Sequence, residues 1–434
     1  MTQTLRIGIA GLGTVGIGVV KIFQDHGTSF PKKAGRDIVI TAVSARDRKK
    51  DRGVCLDSYT WYDDPLAIAR ADTVDVVVEL IGGSAGLPRE LVETALQNGK
   101  HVVTANKALL AEHGFALACL AEKKNRALCY EAAVAGGIPI IKALREGFVA
   151  NQISEIRGIL NGTCNYILTA MRETGRSFED ILKEAQEKGY AEADPTFDIE
   201  GIDAAHKLCI LNALAFGINP NFEHIGVVGI SAITTDDIKA ADELGYRIKL
   251  LGVARREGSR TVQRVEPCLV PISSPLGSVE GVFNAVDITG DFVGRGLLVG
   301  RGAGEGPTAS AVVADLMDIA RGNITPVFAL PPEFLTDPEP RPHESTETSS
   351  STAPFYVRLT VRDQPGVLAS VAGVLYDSNI SIGAVMQRAR MPGQTVPLIL
   401  TTHPACPEDL QTACRNLEGL PTVTEKPVLM RIED

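Results

Sequence analysis

The chain has no Cys-x-x-Cys pair: its eight cysteines, Cys55, Cys119, Cys129, Cys164, Cys209, Cys268, Cys406 and Cys414, are scattered. That spacing points neither to a zinc site nor to a dithiol redox centre. No apolar run is long enough to cross a bilayer, and Met1 to Ile9 lack the charged start and long apolar stretch of a secretory signal. A cytoplasmic setting without a membrane partner is expected. Positive charge is outnumbered, with 43 Lys and Arg against 53 Asp and Glu and a formal net charge of -10. With no basic stripe interleaved with aromatics, nucleic acid is not an expected partner. The 434 residues, 44% apolar and 22% charged, have the composition of an ordinary soluble protein with two to four domains and room for a large core.

Leu5 to Ile9 reads as a short buried strand feeding Gly11-Leu12-Gly13-Thr14-Val15-Gly16, after which Val19 and Phe23 continue at helical spacing. Glycines in such a strand–turn–helix allow a tight turn and let a pyrophosphate approach the helix N-terminus, whose free N–H groups and dipole favour anions. The expected cofactor contacts are therefore Gly11, Gly13, Thr14, Val15 and Gly16. A lone motif of this form can also be an ordinary glycine turn; its position directly after an apolar strand favours the nucleotide. A second strand, Ile38 to Val43, runs into Ser44-Ala45-Arg46-Asp47-Arg48-Lys49-Lys50. Arg46, helped by Arg48 or Lys50, would pair with a 2′-phosphate and favour NADP. Asp47 keeps NAD open, and a merely solvated basic loop is the plain alternative. Strands at Val76 to Leu80, leading to Ile81-Gly82-Gly83, and at His101 to Thr104 complete an alternating pattern that implies a parallel sheet. Ligands bind beyond the carboxyl ends of such strands, where Gly82, Thr104, Asn106 and Lys107 fall.

Between Ala185 and Lys207 the chain packs six carboxylates and two lysines. Asp194-Pro195 ends the helical pattern of Phe178 to Lys188, so a loop is expected next. From about Ile199 apolar spacing resumes through Leu208 and Leu211, placing Asp203 and Lys207 four apart on one helix face. A lysine beside a carboxylate and partly desolvated can trade a proton with a substrate hydroxyl. The plain alternative is an exposed ion pair of little energetic worth. His206 falls on another face and reads as structural.

Composition breaks between Leu330 and Pro354, where prolines, acidic residues and a Ser/Thr run leave almost nothing to bury, the mark of a flexible linker. Beyond it, Phe355 to Val361 alternates like a strand, Asp363-Gln364-Pro365-Gly366-Val367-Leu368 turns into a helix ending near Asn379, and Ile380 to Val385 begins another strand. In the middle, Gly137 to Gly300 reads as a mixed domain, with strands at Val265 to Val270 and Phe283 to Ile288. Ala309 to Ala320 reads as a helix returning to the first domain.

The order Gly-Tyr-Ala, Asp-Pro, Asp-Ile, Gly, Asp and Lys over Gly189 to Lys207 resembles the pattern of homoserine dehydrogenases. The similarity extends to Val103-Thr104-Ala105-Asn106-Lys107, Tyr130 to Pro139, Gly158 to Tyr166 and Gly302 to Ser310, so nearly the whole chain is covered. The resemblance implies an α/β protein with a Rossmann-type dinucleotide-binding domain, a mixed α+β catalytic and dimerisation domain, and a C-terminal ferredoxin-like ACT domain. Its expected limits are 1–136, completed by a returning helix around 305–325; 137–304; a linker over 331–353; and 354–434. The implied reaction is NAD(P)-dependent interconversion of L-homoserine and L-aspartate 4-semialdehyde, serving threonine, methionine and isoleucine biosynthesis. Carried over residue by residue, Lys207 becomes the general acid/base, Asp203 its holder and a substrate ligand, and Glu192 the partner of the substrate ammonium. Asp198 becomes a supporting carboxylate and Lys107 a group near both nicotinamide and substrate. Gly304, in a loop slightly different from the family form, is an expected cofactor contact. Main-chain oxygens of Glu131, Val134, Gly136 and Ile138 would bind a monovalent cation such as Na+, the alternative being a tight connection without an ion. The segment from Phe355 looks like an ACT domain, with Asp363, Gly366, Asn379 and Ile380 at effector-facing positions and threonine as the implied inhibitor; a purely assembling role is the alternative. A homo-oligomer, dimer or tetramer, is expected. Cys164 receives no catalytic task. Two rival readings are a different semialdehyde or amino-acid dehydrogenase on the same scaffold, and a non-catalytic amino-acid sensor.

Overall fold

The computed structural model describes residues 4–258, 260–337, 352–387 and 394–433. Of the linker expected over 331–353, residues 338–351 lie outside the described residues. The chain forms two compact units, each assembled from separated stretches. One gathers Met1–Ile156, Ala205–Ile225 and Asn284–Glu339, the other Arg157–Ala204, Gly226–Phe283 and Pro340–Asp434, as far as their residues are described. Among the described residues no helix is long and apolar enough to cross a membrane.

The first unit is organised by six strands, β1 (Leu5–Ala10), β2 (Ile38–Ser44), β3 (Thr60–Trp61), β4 (Val76–Glu79), β5 (His101–Thr104) and β6 (Leu128–Cys129). They pair in parallel in the order β3-β2-β1-β4-β5-β6. A parallel sheet needs helical crossovers that cover its faces, which is why its central strands are continuous apolar runs. Ile7, Ile9, Val76, Val77, Val78, Val102 and Val103 are all fully buried. The crossovers are α1 (Thr14–His26) with the short α2 (Phe30–Ala34), then α3 (Pro65–Arg70), α4 (Leu87–Gln97) and α5 (Lys107–Lys124), followed after β6 by α6 (Ile140–Lys142). Strand order reverses beside β1, so the crevice between the ends of β1 and β4 is the switch point where ligands bind in open sheets of this kind.

Next, β7 (Ile153–Ile159) leads out of the first unit, and α7 (Gly162–Thr174), α8 (Phe178–Glu187) and α9 (Thr196–Ile199) follow in the second. α9 occupies a stretch expected to be loop. Asp194 explains the difference: its carboxylate accepts the Thr196 N–H at 3.1 Å, and Pro195, at φ −86°, is already turned for a helix start. α10 (Ile202–Phe216) then returns the chain to the first unit.

In the second unit, β8 (Gly226–Val227) and α11 (Thr235–Glu243) precede a long antiparallel pair, β9 (Tyr246–Glu257) and β10 (Arg260–Pro271), in register from Tyr246 opposite Pro271. β11 (Phe283–Gly290), β12 (Gly294–Arg301) and α12 (Glu305–Arg321) go back to the first unit. There Ala309, Val312 and Leu316 of α12 join the core beneath Ile7, Val19 and Val20. The chain ends as β13 (Phe355–Arg362), α13 (Val367–Asp377), β14 (Ile382–Met386), β15 (Thr395–Thr402), α14 (Pro407–Glu418) and β16 (Val428–Ile432). Its four strands lie in the order β16-β13-β15-β14, with both helices contributing to one apolar core. β14 starts two residues later than the sequence spacing implies, because Asn379 is left-handed at φ 55° and the Ile380 N–H closes back on Leu375 O at 2.9 Å. β16 also pairs in parallel with β10, Cys268 opposite Arg431. β13 is fastened to α11 by Tyr356 Oη and Arg358 Nε, each donating to Asp237 Oδ1 at 2.8 Å.

Candidate active site

Gly11 sits at φ +108°, and a Cβ there would run into the Leu80 main-chain oxygen, so only glycine makes this turn. Gly13 caps α1 without a side chain and has open space where a Cβ would be. Gly13 thus leaves the start of α1, at Thr14, Val15 and Gly16, clear of side-chain bulk, and a helix N-terminus of this kind favours an anion. The basic loop after β2 is exposed at Arg46, Arg48 and Lys50. Asp47 turns its carboxylate back on its own loop, Oδ1 accepting the Lys49 N–H at 2.8 Å. A residue the sequence did not flag organises this loop. Arg52 donates to the main-chain oxygens of Leu12 at 3.3 Å, Asp47 at 2.6 Å and Lys50 at 2.8 Å, and its guanidinium lies 5.7 Å from the Trp61 ring. The glycine turn and the basic loop are thereby tied together.

The ends of β4 and β5 are joined by a second unforeseen residue, Glu79, whose side chain is fully buried. Oε1 accepts the N–H groups of Ile81 at 2.7 Å and Gly82 at 3.2 Å, while Oε2 accepts the Thr104 hydroxyl at 2.6 Å. Thr104 Oγ1 in turn accepts the Asn106 N–H at 3.0 Å. Asn106 caps α5 through the Leu109 N–H at 3.1 Å and donates to Gly83 O at 2.7 Å. One buried carboxylate thus shapes the Gly82–Gly83 turn and the corner from which half-buried Lys107 opens α5.

Asp203 and Lys207 lie one turn apart on α10 and are only 3% and 8% exposed, so they are no solvated surface pair. Asp198, half-buried in α9, meets Asp203 at a common partner, Asn161. Asn161 Nδ2 donates to Asp198 Oδ1 at 2.8 Å and to Asp203 Oδ2 at 2.9 Å. Glu192 lies in the exposed stretch between α8 and α9, its main-chain oxygen receiving Gln186 Nε2 at 3.1 Å. Cys164 is buried and donates its thiol to Asp198 O at 3.2 Å.

At Tyr130 to Pro139 the chain makes a tight connection with Ala135 left-handed at φ 49°. Glu131 spends its carboxylate on the N–H groups of Ile141 and Lys142, each at 2.9 Å, capping α6, and its own N–H donates to Asp315 Oδ2 at 2.8 Å. Burial, reinforced by the Glu131 charge, pushes the Asp315 carboxyl up to about 7. A cavity of about 400 Å³ opens here, lined by Glu131, Gly136, Lys142, Arg301, Pro307 and Ser310. Ile138 O accepts the Ile140 N–H at 2.7 Å, and Val134 is fully buried. Gly304, left-handed at φ 114°, opens α12.

In the C-terminal domain Gly366, at φ 92°, caps α13, and Asn379 and buried Ile380 close it. Asp363 Oδ2, just before that cap, is buried without a hydrogen-bond partner among the described residues.

A doubly wound parallel sheet with this glycine turn, in a chain that carries buried Asp and Lys on one helix, defines a dinucleotide-dependent oxidoreductase with an appended regulatory-type module. The homoserine dehydrogenase family profile matches residues 139–317, its NAD-binding domain profile residues 11–131, and the ACT domain profile residues 355–421. A homoserine dehydrogenase from Neisseria gonorrhoeae is 46% identical over 434 residues, covering 99% of this chain and 98% of that one. The crystal structure of a homoserine dehydrogenase from Thiobacillus denitrificans superimposes with a TM-score of 0.92 at 45% identity, covering 100% of this chain and 99% of that one. A hyperthermophilic archaeal homoserine dehydrogenase mutant in complex with NADPH matches with a TM-score of 0.61 at 28% identity over 73% of this chain and 97% of its own. The chain belongs to the homoserine dehydrogenase family.

Proposed function

We propose that the chain interconverts L-homoserine and L-aspartate 4-semialdehyde with NADP as the preferred cofactor and Lys207 as the proton-transferring group. The observation that carries this reading is the burial of Asp203 and Lys207 one helical turn apart, beside the Asn161-linked Asp198. When bound, the nicotinamide supplies the hydride step, so the chain's own work is orientation and proton handling. Lys207 takes or returns the proton at the substrate oxygen, Asp203 and Asp198 orient the substrate, Glu192 receives its ammonium, and Lys107 stands at the nicotinamide end. Gly11, Gly13, Thr14, Val15 and Gly16 hold the pyrophosphate, with Gly82, Thr104 and Gly304 as further contacts. Arg46 and Lys50, exposed on a loop where the Asp47 carboxylate turns back onto the Lys49 N–H, favour a 2′-phosphate. The NADPH complex of the archaeal relative supports the same preference.

The left-handed Ala135 in this tight connection supports a monovalent cation on the main-chain oxygens of Glu131, Val134, Gly136 and Ile138. The Asp363 oxygen, buried and unpartnered among the described residues, supports capture of an amino-acid ammonium by Asp363, Gly366, Asn379 and Ile380, with threonine as inhibitor. Exposed Phe292, Val293 and Val299, on and beside β12, support self-association. In this reading the roles fall to three domains, 1–136 with α12, 137–304 and 354–434. The test is to mix purified protein with L-homoserine and NADP, and separately NAD, and follow reduced nicotinamide by absorbance. Silence with both in folded protein overturns the reading.

A further inference from the structure

We propose that Asn161 is a positioning residue of the reaction, its side-chain amide holding the Asp198 and Asp203 carboxylates in one fixed arrangement at the start of the helix that bears Lys207. This rests on the roles given above to Asp198, Asp203 and Lys207.

Asn161 caps α7, its Oδ1 accepting the Cys164 N–H at 2.8 Å. That bond fixes which end of the amide faces the helix, so the two N–H groups must point the other way. Both are spent, one on Asp198 Oδ1 at 2.8 Å and one on Asp203 Oδ2 at 2.9 Å, and the side chain is only 4% exposed. The two carboxylates converge because the chain turns sharply between α9 and α10 at Gly201, φ +81°, where a Cβ would press on Val227 and Val265 at 3.2 Å. The Cys164 thiol adds a second restraint by holding the Asp198 carbonyl at 3.2 Å.

Two carboxylates brought this close repel one another unless something between them compensates. A lysine or arginine would do so at the cost of their charge and would compete with a substrate ammonium. A neutral double donor compensates while leaving both charges to act on the amine and on Lys207. Asparagine is the one small helix cap that supplies an acceptor to the helix and two donors elsewhere. Serine caps equally well but has one donor; aspartate caps equally well, has none, and adds a third negative charge.

That difference separates capping from positioning. Full-length wild type, Asn161→Ser and Asn161→Asp are compared for Tm, for NADPH affinity by nicotinamide fluorescence, and for kcat and KM with L-homoserine. Expected is NADPH affinity close to wild type in both variants, with Tm close to wild type in the serine variant and lowered in the aspartate variant by its third buried charge. kcat/KM should be lower by about 10-fold in the serine variant and about 100-fold in the aspartate variant, the scale of one and two lost charge-assisted bonds. Wild-type kcat/KM in either folded variant overturns the proposal, as does a fall in the serine variant that tracks Tm and NADPH affinity equally, since that is the mark of a cap alone. A wild type that fails to oxidise L-homoserine overturns the underlying reading and this inference with it.

Discussion

The Thr104 hydroxyl donates to Glu79 Oε2 across 2.6 Å, joining the ends of neighbouring parallel strands through a carboxylate that no solvent reaches. Glu79→Ala strands that hydroxyl together with the N–H groups of Ile81 and Gly82. The buried Thr104 hydroxyl left unmatched costs about 1–3 kcal/mol, while the N–H groups of half-buried Ile81 and exposed Gly82 can turn to water, so the expected loss of unfolding free energy is about 1–3 kcal/mol. Chemical denaturation measures it, and KM for the nicotinamide cofactor should rise in parallel because the Gly82 turn loses its shape.

Lys207→Ala should leave the fold and NADPH binding intact and lower kcat by about 10²- to 10⁴-fold, the usual contribution of a positioned acid/base group. Near-normal turnover would remove Lys207 from the chemistry.

On the cofactor side, Arg46→Ala should reduce kcat/KM with NADP by about 10- to 100-fold, the worth of a hydrogen bond between charged groups, with little change for NAD. Arg52→Ala should impair both cofactors, because Arg52 binds Leu12 O rather than a feature that separates them. Parallel titrations of NADP and NAD with each variant check the contrast.

His101 accepts the Ala127 N–H on Nδ1 at 3.0 Å, and burial, helped by the Arg126 charge, lowers its pKa from 6.5 to about 4. The folded state therefore binds this proton less readily than the unfolded chain. His101 contributes stability that is fully present above pH 6.5 and is lost as pH falls through about 4. Unfolding free energies at pH 7 and pH 5 should differ less in His101→Gln than in wild type, the His101 share being on the order of 1–3 kcal/mol.

If threonine acts through the C-terminal domain, Asp363→Asn should abolish its inhibition while leaving uninhibited turnover unchanged. Rate measurements over a threonine titration decide this, and undiminished inhibition would move the effector elsewhere.

What the sequence made legible was mostly local. The β1–glycine turn–α1 unit, the Asp203–Lys207 spacing and the β13–α13 opening are each specified within about two dozen residues by apolar period and turn chemistry. Asn161, Glu79 and Arg52 were not legible as organisers. Asn161 acts on residues 37 and 42 positions away, and Glu79 on a hydroxyl 25 away, so neither bond has a spacing to read. Arg52 lies just past the basic run of Arg46 to Lys50, and its three partners are main-chain carbonyls, which leave no mark on the sequence. α9 was missed because Asp-Pro was read only as the end of one helix, whereas here it also starts the next.

The nucleotide-binding sheet is closed by a helix that arrives very late in the chain: Lys21 Nζ on α1 meets Glu305 Oε1 on α12 at 2.8 Å, 284 residues downstream. During synthesis the first six strands leave the ribosome long before Ala309, Val312 and Leu316 exist to cover the apolar surface around Val19 and Val20. That surface stays open to solvent and to chaperones for most of translation, because a long-range contact cannot form before both its partners have emerged. Truncated nascent chains ending before α12 should therefore be protease-sensitive throughout the nucleotide-binding half, although every strand of its sheet has already been made.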